Sequence, residues 1–567
     1  MFSAAKKFML CLLFAVPGLV VRAQIDVNNL AVAYEENFNS LPASGFSNNW
    51  TNNTTIKGWY AAKGNAAATT IRANDGTPSQ GQTSLAVNLF SFGANNDTDR
   101  ALGSVGSGST HMAFGMRLQN NSGKLVKSMK VRFWGEQWRV STSTKEQPLR
   151  FSYLVSPVAV TSITTDETGY SKVPYLNFIT PVATGANTAL NGNLAANRVL
   201  LEAHFRVDIP AGHEIMLKWF DSDDSDFDHA LAIDDVKVEF FETVPPTDEC
   251  TGGATLAQFM KGIILDIPDE DSGVAFALPT AIKLSAWGRI VSLVVKGQYA
   301  SAQTALFSNI LGYRLTKFVT PAKTYYILAK DGASANHWGT YVFSPAATRP
   351  CVNLQAPHPL HDEMTGEQAT YMLTELDGFS LMVAGAHRCL SDTPSGCHIG
   401  QNDTSCDGQF RISDVAHVVG SAFQTTTEVV AKSANNRRFI QLHGFGGAEP
   451  FQFALSNGTD LLPAGNDHAA QLDAALEAVP GKNWQSRVAH VQADNLTKLT
   501  GYNNIQGRHL NNYADGDPCT SNIISNTVTG RFLHIEQYGA ARTDKANYPP
   551  IKNALLANNI CNCALPN

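Results

Sequence analysis

The chain has 567 residues, with 42 Lys and Arg against 49 Asp and Glu and a formal net charge of −7. That length exceeds one ordinary core, so two or three domains are expected. The acid excess excludes a nucleic-acid binder held by bulk basic charge. An apolar content of 44% with only 16% charged residues excludes a long disordered chain or a coiled coil.

Residues 1–23 read as a secretory signal peptide. Lys6 and Lys7 form the positive end, residues 8–21 are apolar but broken by Pro17, and Val21-Arg22-Ala23 suits cleavage after Ala23. The apolar run is short for a span of about 20 residues. No later segment is apolar enough to cross a bilayer, so a secreted, periplasmic or cell-surface protein with no membrane span is expected. Of nine cysteines, Cys11 lies in the signal and the other eight all follow residue 249. An even number in an exported chain reads as up to four disulfides. Cys561-x-Cys563 offers a metal reading as the alternative.

Residues 24–242 alternate apolar and polar side chains in short runs, such as Met129-x-Val131-x-Phe133 and Leu201-x-Ala203-x-Phe205-x-Val207. Turn clusters separate the runs, which predicts an antiparallel β-sandwich. Residues 243–253, with Pro245-Pro246, read as a linker. From residue 254 to 567 the texture changes to helix-like stretches at 255–264 and 300–311, a strand at 325–329, and then alternation. Strands are expected at 352–356, 381–384, 439–442, 488–491 and 532–536, with helices at 367–376, 415–431 and 468–479. This pattern predicts an α/β domain with a mostly parallel sheet.

Near the end of the first half, Asp221, Asp223, Asp224, Asp226 and Asp228 offer oxygen ligands suited to Ca²⁺, with Asp221, Asp223 and Asp226 as the candidate set. Trp50, Trp59, Trp134 and Trp138 are candidates for stacking on sugars. The segment 231–236, Leu-Ala-Ile-Asp-Asp-Val, resembles the last strand of the jelly-roll modules of secreted adhesion and carbohydrate-binding proteins. That resemblance implies a carbohydrate or cell-surface partner.

In the second half, several predicted strands end on chemistry-bearing residues, where open α/β sheets place ligands. Ala356-Pro357-His358 is followed by His361, Asp362 and Glu363. Later strands end in Ala386-His387-Arg388, Leu442-His443-Gly444 and His534-Ile535-Glu536. A hydrolytic zinc needs two or three N/O ligands, an open position and a carboxylate for the water's proton. His358, Glu363 or Asp362, and His443 supply ligands, and Glu536 supplies the carboxylate. Arg388 and Arg508 are candidates to hold a substrate carboxylate through a forked hydrogen bond, with Arg542 as a third. His417 after Asp414 reads as a helix cap or as support for the metal. No G-x-G-x-x-G, G-x-S-x-G or H-E-x-x-H pattern occurs.

These motifs resemble the zinc carboxypeptidase-like fold, nearest its poly-γ-glutamate hydrolase branch, over about residues 320–550. The resemblance implies a metal held by His358, Glu363 and His443, with Glu536 serving the water. Pro359, Leu360 and His361 stand where that family has glycines, which leaves Glu363 and Asp362 both open and makes His361 a further candidate. The implied function is a secreted zinc-dependent hydrolase of amide bonds in peptides, γ-glutamyl polymers or cell-wall peptides, carrying a binding module. The alternatives are a binding or adhesion protein with a non-catalytic α/β half, and a metal-dependent esterase, phosphoesterase or deacetylase.

Overall fold

The computed structural model describes residues 24–78, 84–185, 187–224, 227–332, 334–397, 406–447, 449–512, 518–519 and 524–563. The signal-like stretch 1–23 and Asp226 lie outside these residues.

Period-two alternation builds the first half. In Arg198–Ile209 the side chains of Leu201, Ala203, Phe205, Val207 and Ile209 are buried, while the residues between them face outward. This strand pairs antiparallel with Val126–Val140, which pairs on its other edge with Ala230–Phe241. A second sheet sets Met112–Asn120 between Trp59–Lys63 and Glu214–Asp221, with Pro148–Ser156 beyond. The inner faces meet on Trp219, which stacks on Trp59 at 5.8 Å and takes Phe133 and Phe151 edge-on at 5.3 and 5.1 Å. The half is thus an antiparallel β-sandwich. Of the four tryptophans considered for sugars, Trp50, Trp59 and Trp138 are core residues. Trp134 is half-buried and carries the Arg198 guanidinium 4.2 Å over its ring.

Within the expected linker, Asp248–Cys250 is a strand. It pairs antiparallel with Ala203 and His204 of the sandwich and parallel with Thr316–Phe318 of the second half. One sheet therefore runs through both halves. Arg314 crosses the junction, 3.2 Å from Asp248 and 2.9 Å from the Arg206 carbonyl.

Beyond the junction the strands lie in the order Tyr313–Val319, Thr324–Lys330, Thr340–Phe343, Gly378–Val383, Arg349–Ala356, Arg438–Phe445, Phe532–Tyr538, Phe453–Ser456 and Ser486–Val488. The four from Gly378–Val383 to Phe532–Tyr538 are parallel; the first four strands pair antiparallel, as do Phe532–Tyr538 and Phe453–Ser456. The sheet is mixed rather than mostly parallel. A tight turn at 320–323 joins the first two strands, and a connection that short allows only an antiparallel neighbour. Successive residues of the central strands feed two cores. Leu381, Ile440 and Leu533 pack with Leu373, whereas Met382, Phe439 and Phe532 pack with Phe423 and Trp287. Trp287 belongs to Ala281–Val295, a helix with no counterpart among the expected ones, and donates to Thr426 Oγ1 at 2.9 Å. The helix expected at 415–431 starts only at Ala422, capped by Ser421, so Asp414 and His417 sit in the turns before it.

Three disulfides form: Cys351–Cys563, Cys389–Cys406 and Cys397–Cys519. The fourth does not, because Cys250 is buried on the junction strand and Cys561 in the C-terminal turn, while Cys563 is the one that meets Cys351. That bridge also removes the metal reading of Cys561-x-Cys563. A denatured, unreduced chain beginning at Gln24 should therefore titrate two thiols rather than none. None or four would contradict these pairings. Among the described residues no helix is long and apolar enough to cross a membrane.

Candidate metal centre and the sandwich acids

The strand Arg349–Ala356 delivers His358 into the interior, where it is 1% exposed. The chain then turns tightly. The Asp362 N–H donates to the His358 carbonyl at 2.8 Å, and Met364 takes a left-handed conformation (φ 70°) before the helix Thr365–Glu375. This turn brings the Asp362 carboxylate back under the ring, with Oδ2 3.2 Å from His358 Nδ1. Glu363, one residue on, points outward and is exposed; its carbonyl accepts from Arg542 Nε at 3.1 Å. The structure thus groups Asp362, not Glu363, with the histidines. His361 is also exposed.

His443 arrives from the adjacent strand, its Nδ1 3.3 Å from the same Asp362 Oδ2. The neighbours of each ring fix the tautomers. Gln441 Nε2 donates to Gln355 Oε1 and Gln506 Oε1, and Gln441 Oε1 accepts from Asn504 at 2.6 Å. His443 Nε2, 2.8 Å from that oxygen, must carry the proton. Its Nδ1 therefore shows a lone pair to Asp362. His358 Nε2 lies 2.9 Å from Asp414 Oδ1. Asp414 is fully buried and also accepts from Arg388 Nη2 at 2.7 Å, His417 Nδ1 at 3.1 Å and the Ala416 N–H at 3.1 Å. Burial opposes its charge, but Arg388, His417 and His358 outweigh burial and hold the carboxyl well below its usual range. His358 Nε2–H thus donates to a carboxylate, and Nδ1 again faces Asp362.

Two imidazole Nδ1 atoms and one carboxylate oxygen converge, all within 4.8 Å of one another. In a tetrahedral site with bonds of about 2.0–2.2 Å, ligand atoms stand about 3.3–3.5 Å apart. The observed 3.2 and 3.3 Å fit such an edge. The two rings differ in their affinity for a proton. Burial and Arg388 push His358 down, but Asp414 and Asp362 prevail and raise it to about 9. Burial lowers His443 to about 4.

Glu536 stands on the next strand in register with His443. Its Oε1 is 3.7 Å from His534 Nε2, while Oε2 is buried without a hydrogen-bond partner. Burial first, and the Asp362 charge second, raise its carboxyl well above the usual range.

The arginines fall elsewhere. Arg388 engages Asp414, so it supports His358 rather than reaching outward for a substrate. Arg508 is fully buried and donates to the Tyr502 and Pro518 carbonyls and to Asn503 Oδ1; it holds a loop and is not placed to bind substrate. Arg542 is spent on the Glu363, Phe445 and Gln537 carbonyls. Glu270 and His387 group with Cys389, but that sulfur is in a disulfide. Sequence reasoning missed Gln441 and Asn504, which set the His443 tautomer; the Gln441-x-His443 spacing on one strand face was the available signal.

In the sandwich, Asp221 is buried and accepts from Ser104 Oγ at 2.6 Å and the Gly106 N–H at 3.1 Å. Asp223 Oδ2 accepts from the Ser109 N–H at 2.9 Å. Asp228 Oδ1 takes the Asp224 N–H at 2.9 Å, and its Oδ2 is buried without a partner. Burial, aided by the neighbouring acids, raises Asp221 to about 7 and Asp228 to about 8. Both values lie above the unfolded ~3.9, so the native state binds these protons more tightly. Their stabilisation is present below about pH 4 and is lost as pH rises through 7 to 8. In chelator, the melting temperature should fall between pH 5 and pH 8. A shallower fall in Asp228→Asn than in the parent, with the Asp221 part remaining, would confirm the source; an unchanged slope would refute it.

No protein-family model and no curated protein matches the chain. Among solved structures it is similar to a cleaved adhesin domain of Lys-gingipain from Porphyromonas gingivalis, at 13% identity over 32% of this chain and 91% of that one, TM-score 0.19. It is also similar to a carbohydrate-binding module characterised for mannan recognition, at 12% identity over 36% and 95% of the chains, TM-score 0.18. A family 11 carbohydrate-binding module from Clostridium thermocellum matches at 9% identity over 35% and 99%, TM-score 0.18. All three are binding or adhesin modules.

Proposed function

We propose that the protein is a secreted, metal-dependent hydrolase of amide bonds whose sandwich half is a carbohydrate- or cell-surface-binding module. The observation that carries the catalytic reading is the convergence of His358 Nδ1, His443 Nδ1 and Asp362 Oδ2, with each ring's other nitrogen committed to an acceptor. Lone pair facing carboxylate is unfavourable unless a cation lies between them. His358, Asp362 and His443 would hold zinc, which supplies Lewis-acid polarisation of a carbonyl and acidifies water. Asp414 and Gln441 orient the rings, as hydrogen bonds to the far nitrogen do in metal sites. Glu536 Oε2, buried and unpartnered, would take a proton from water and return it to the leaving nitrogen. Peptides, γ-glutamyl polymers and cell-wall peptides are the proposed substrates. In the sandwich, Asp221 and Asp223 would offer oxygen ligands to Ca²⁺, the third candidate, Asp226, lying outside the described residues.

A second reading is a binding or adhesion protein with a non-catalytic α/β half. It is favoured by the fact that His358 finds a protein acceptor at both nitrogens, so a protonated His358 satisfies the Asp362 carboxylate without metal. Metal content of the purified protein, before and after chelation, separates the two. A panel of peptide, N-acetyl, ester and phosphate substrates separates peptide hydrolysis from deacetylase, esterase and phosphoesterase activity. Asp362→Asn should weaken zinc binding by roughly 10–100-fold or more, whereas Glu363→Gln should leave it unchanged. The reverse result would move the ligand one residue along the chain.

A further inference from the structure

A cavity of about 360 Å³ opens between the two halves, bounded by Lys172 and Pro174 of the sandwich and by Ile263, Ile267, Lys330 and His337 of the second half. Its volume falls in the range of small-molecule sites, which combine apolar walls with a few convergent polar groups. Its walls are mostly apolar, with Val274 and Tyr313 adding to the isoleucines. The halves touch closely at its edge: a Cβ on Gly332 would meet the Lys172 backbone N and O at 2.1 Å.

One cation in its wall stands outside the ion pairs that surround it. Lys330 is half-buried, and its ammonium donates to the Ser334 carbonyl at 2.9 Å but forms no ion pair among the described residues. Asp266, which also lines the cavity, pairs with Arg150 at 3.0 Å and Lys172 at 3.9 Å; Lys172 pairs more closely with Glu167 at 3.3 Å, and Asp331 with Arg314 at 3.0 Å. Burial first, and Lys172 second, lower the Lys330 pKa, and the charges of Asp266 and Asp331 offset this only in part. Burial, Lys330 and Lys172 push His337 down to about 4, so it stays a neutral hydrogen-bonding ring. Buried cations are normally paired.

The geometry points to a binding site for an amphipathic carboxylate, its anionic head on Lys330 with Lys172 and His337 beside it, and its apolar tail against Ile263, Ile267 and Val274. This site is separate from the metal ligands, although Gly385 in its wall is two residues from His387.

Titration calorimetry on the full chain in EDTA, with hexanoate as probe and hexan-1-ol as the uncharged control, tests it. Hexanoate should bind saturably to one site. Lys330→Met should weaken it by about tenfold or more, the usual scale for a charge-assisted hydrogen bond, and Lys330→Arg should retain it. Ser272→Trp, at the exposed rim, should block entry and gives an independent variant if Lys330→Met does not fold. Equal hexanoate affinity in wild type and Lys330→Met, or no saturable binding, would overturn the site. So would a loss confined to His443→Ala, which would place the anion at the metal ligands.

Discussion

Glu536→Gln should keep bound zinc and lose about 10²–10⁴-fold in hydrolytic rate, the usual range for removal of a general base. Gln preserves the shape of the side chain and removes only the proton acceptor at Oε2, the buried oxygen that has no hydrogen-bond partner. His443→Ala should behave differently and lose metal and activity together, because it removes one of three converging ligand atoms. The two residues are register partners on adjacent parallel strands. Inductively coupled plasma analysis gives the metal and a quenched peptide gives the rate. Full activity in Glu536→Gln with normal zinc would remove Glu536 as base and leave His534, whose Nδ1 is also buried without a partner, as the next group to test. Full zinc in His443→Ala would remove the site itself, and the binding-protein reading would then stand.

Much of the candidate site was legible because a polar residue ending an apolar strand needs a partner there, whether solvent, ligand or another polar group. His358, His443 and Glu536 all end such runs, and all three are buried together. The choice between Asp362 and Glu363 was not legible, since it depends on a tight turn closed by the Asp362 N–H on the His358 carbonyl. Composition carries no record of that hydrogen bond. The arginines misled for a related reason. Arg508 and Arg388 have the chemistry to bind a carboxylate, but a guanidinium serves buried carbonyls and Asp414 equally well, and only the fold decides. In the same way, periodicity gave strands at Thr324–Lys330 and Arg438–Phe445 without giving their direction. The mixed sheet follows from loop lengths and from the junction strand Asp248–Cys250, whose three residues are too few to show a period. Ala281–Val295 was legible and overlooked, since its buried Trp287, Ile290, Val291 and Val294 fall at the i, i+3, i+4, i+7 spacing of a helical stripe.

Removing Cys351 and Cys563 together should cost about 2–5 kcal/mol of stability, and more than removing Cys389 and Cys406. The first pair closes 212 residues and the second only 17. Chain-entropy arguments give about 5 kcal/mol for the longer loop and about 3 for the shorter, a gap of about 2 kcal/mol. Both cysteines of each pair must go, since a lone Cys563 would stand two residues from the buried Cys561 thiol and invite re-pairing. The local anchor of the C-terminal turn survives the change, because Arg438 still donates to the Asn559 and Asn562 carbonyls at 3.0 and 2.8 Å. What is lost is the covalent tie between that turn and the strand that carries His358. Urea unfolding at matched m-values should rank the variants wild type, then Cys389/Cys406→Ala, then Cys351/Cys563→Ala. The shorter bridge should show instead in zinc affinity, since Cys389 adjoins Arg388, the partner of Asp414. Equal losses of stability from the two pairs, or a larger loss from the short one, would mean that native-state packing around Cys389 outweighs loop closure.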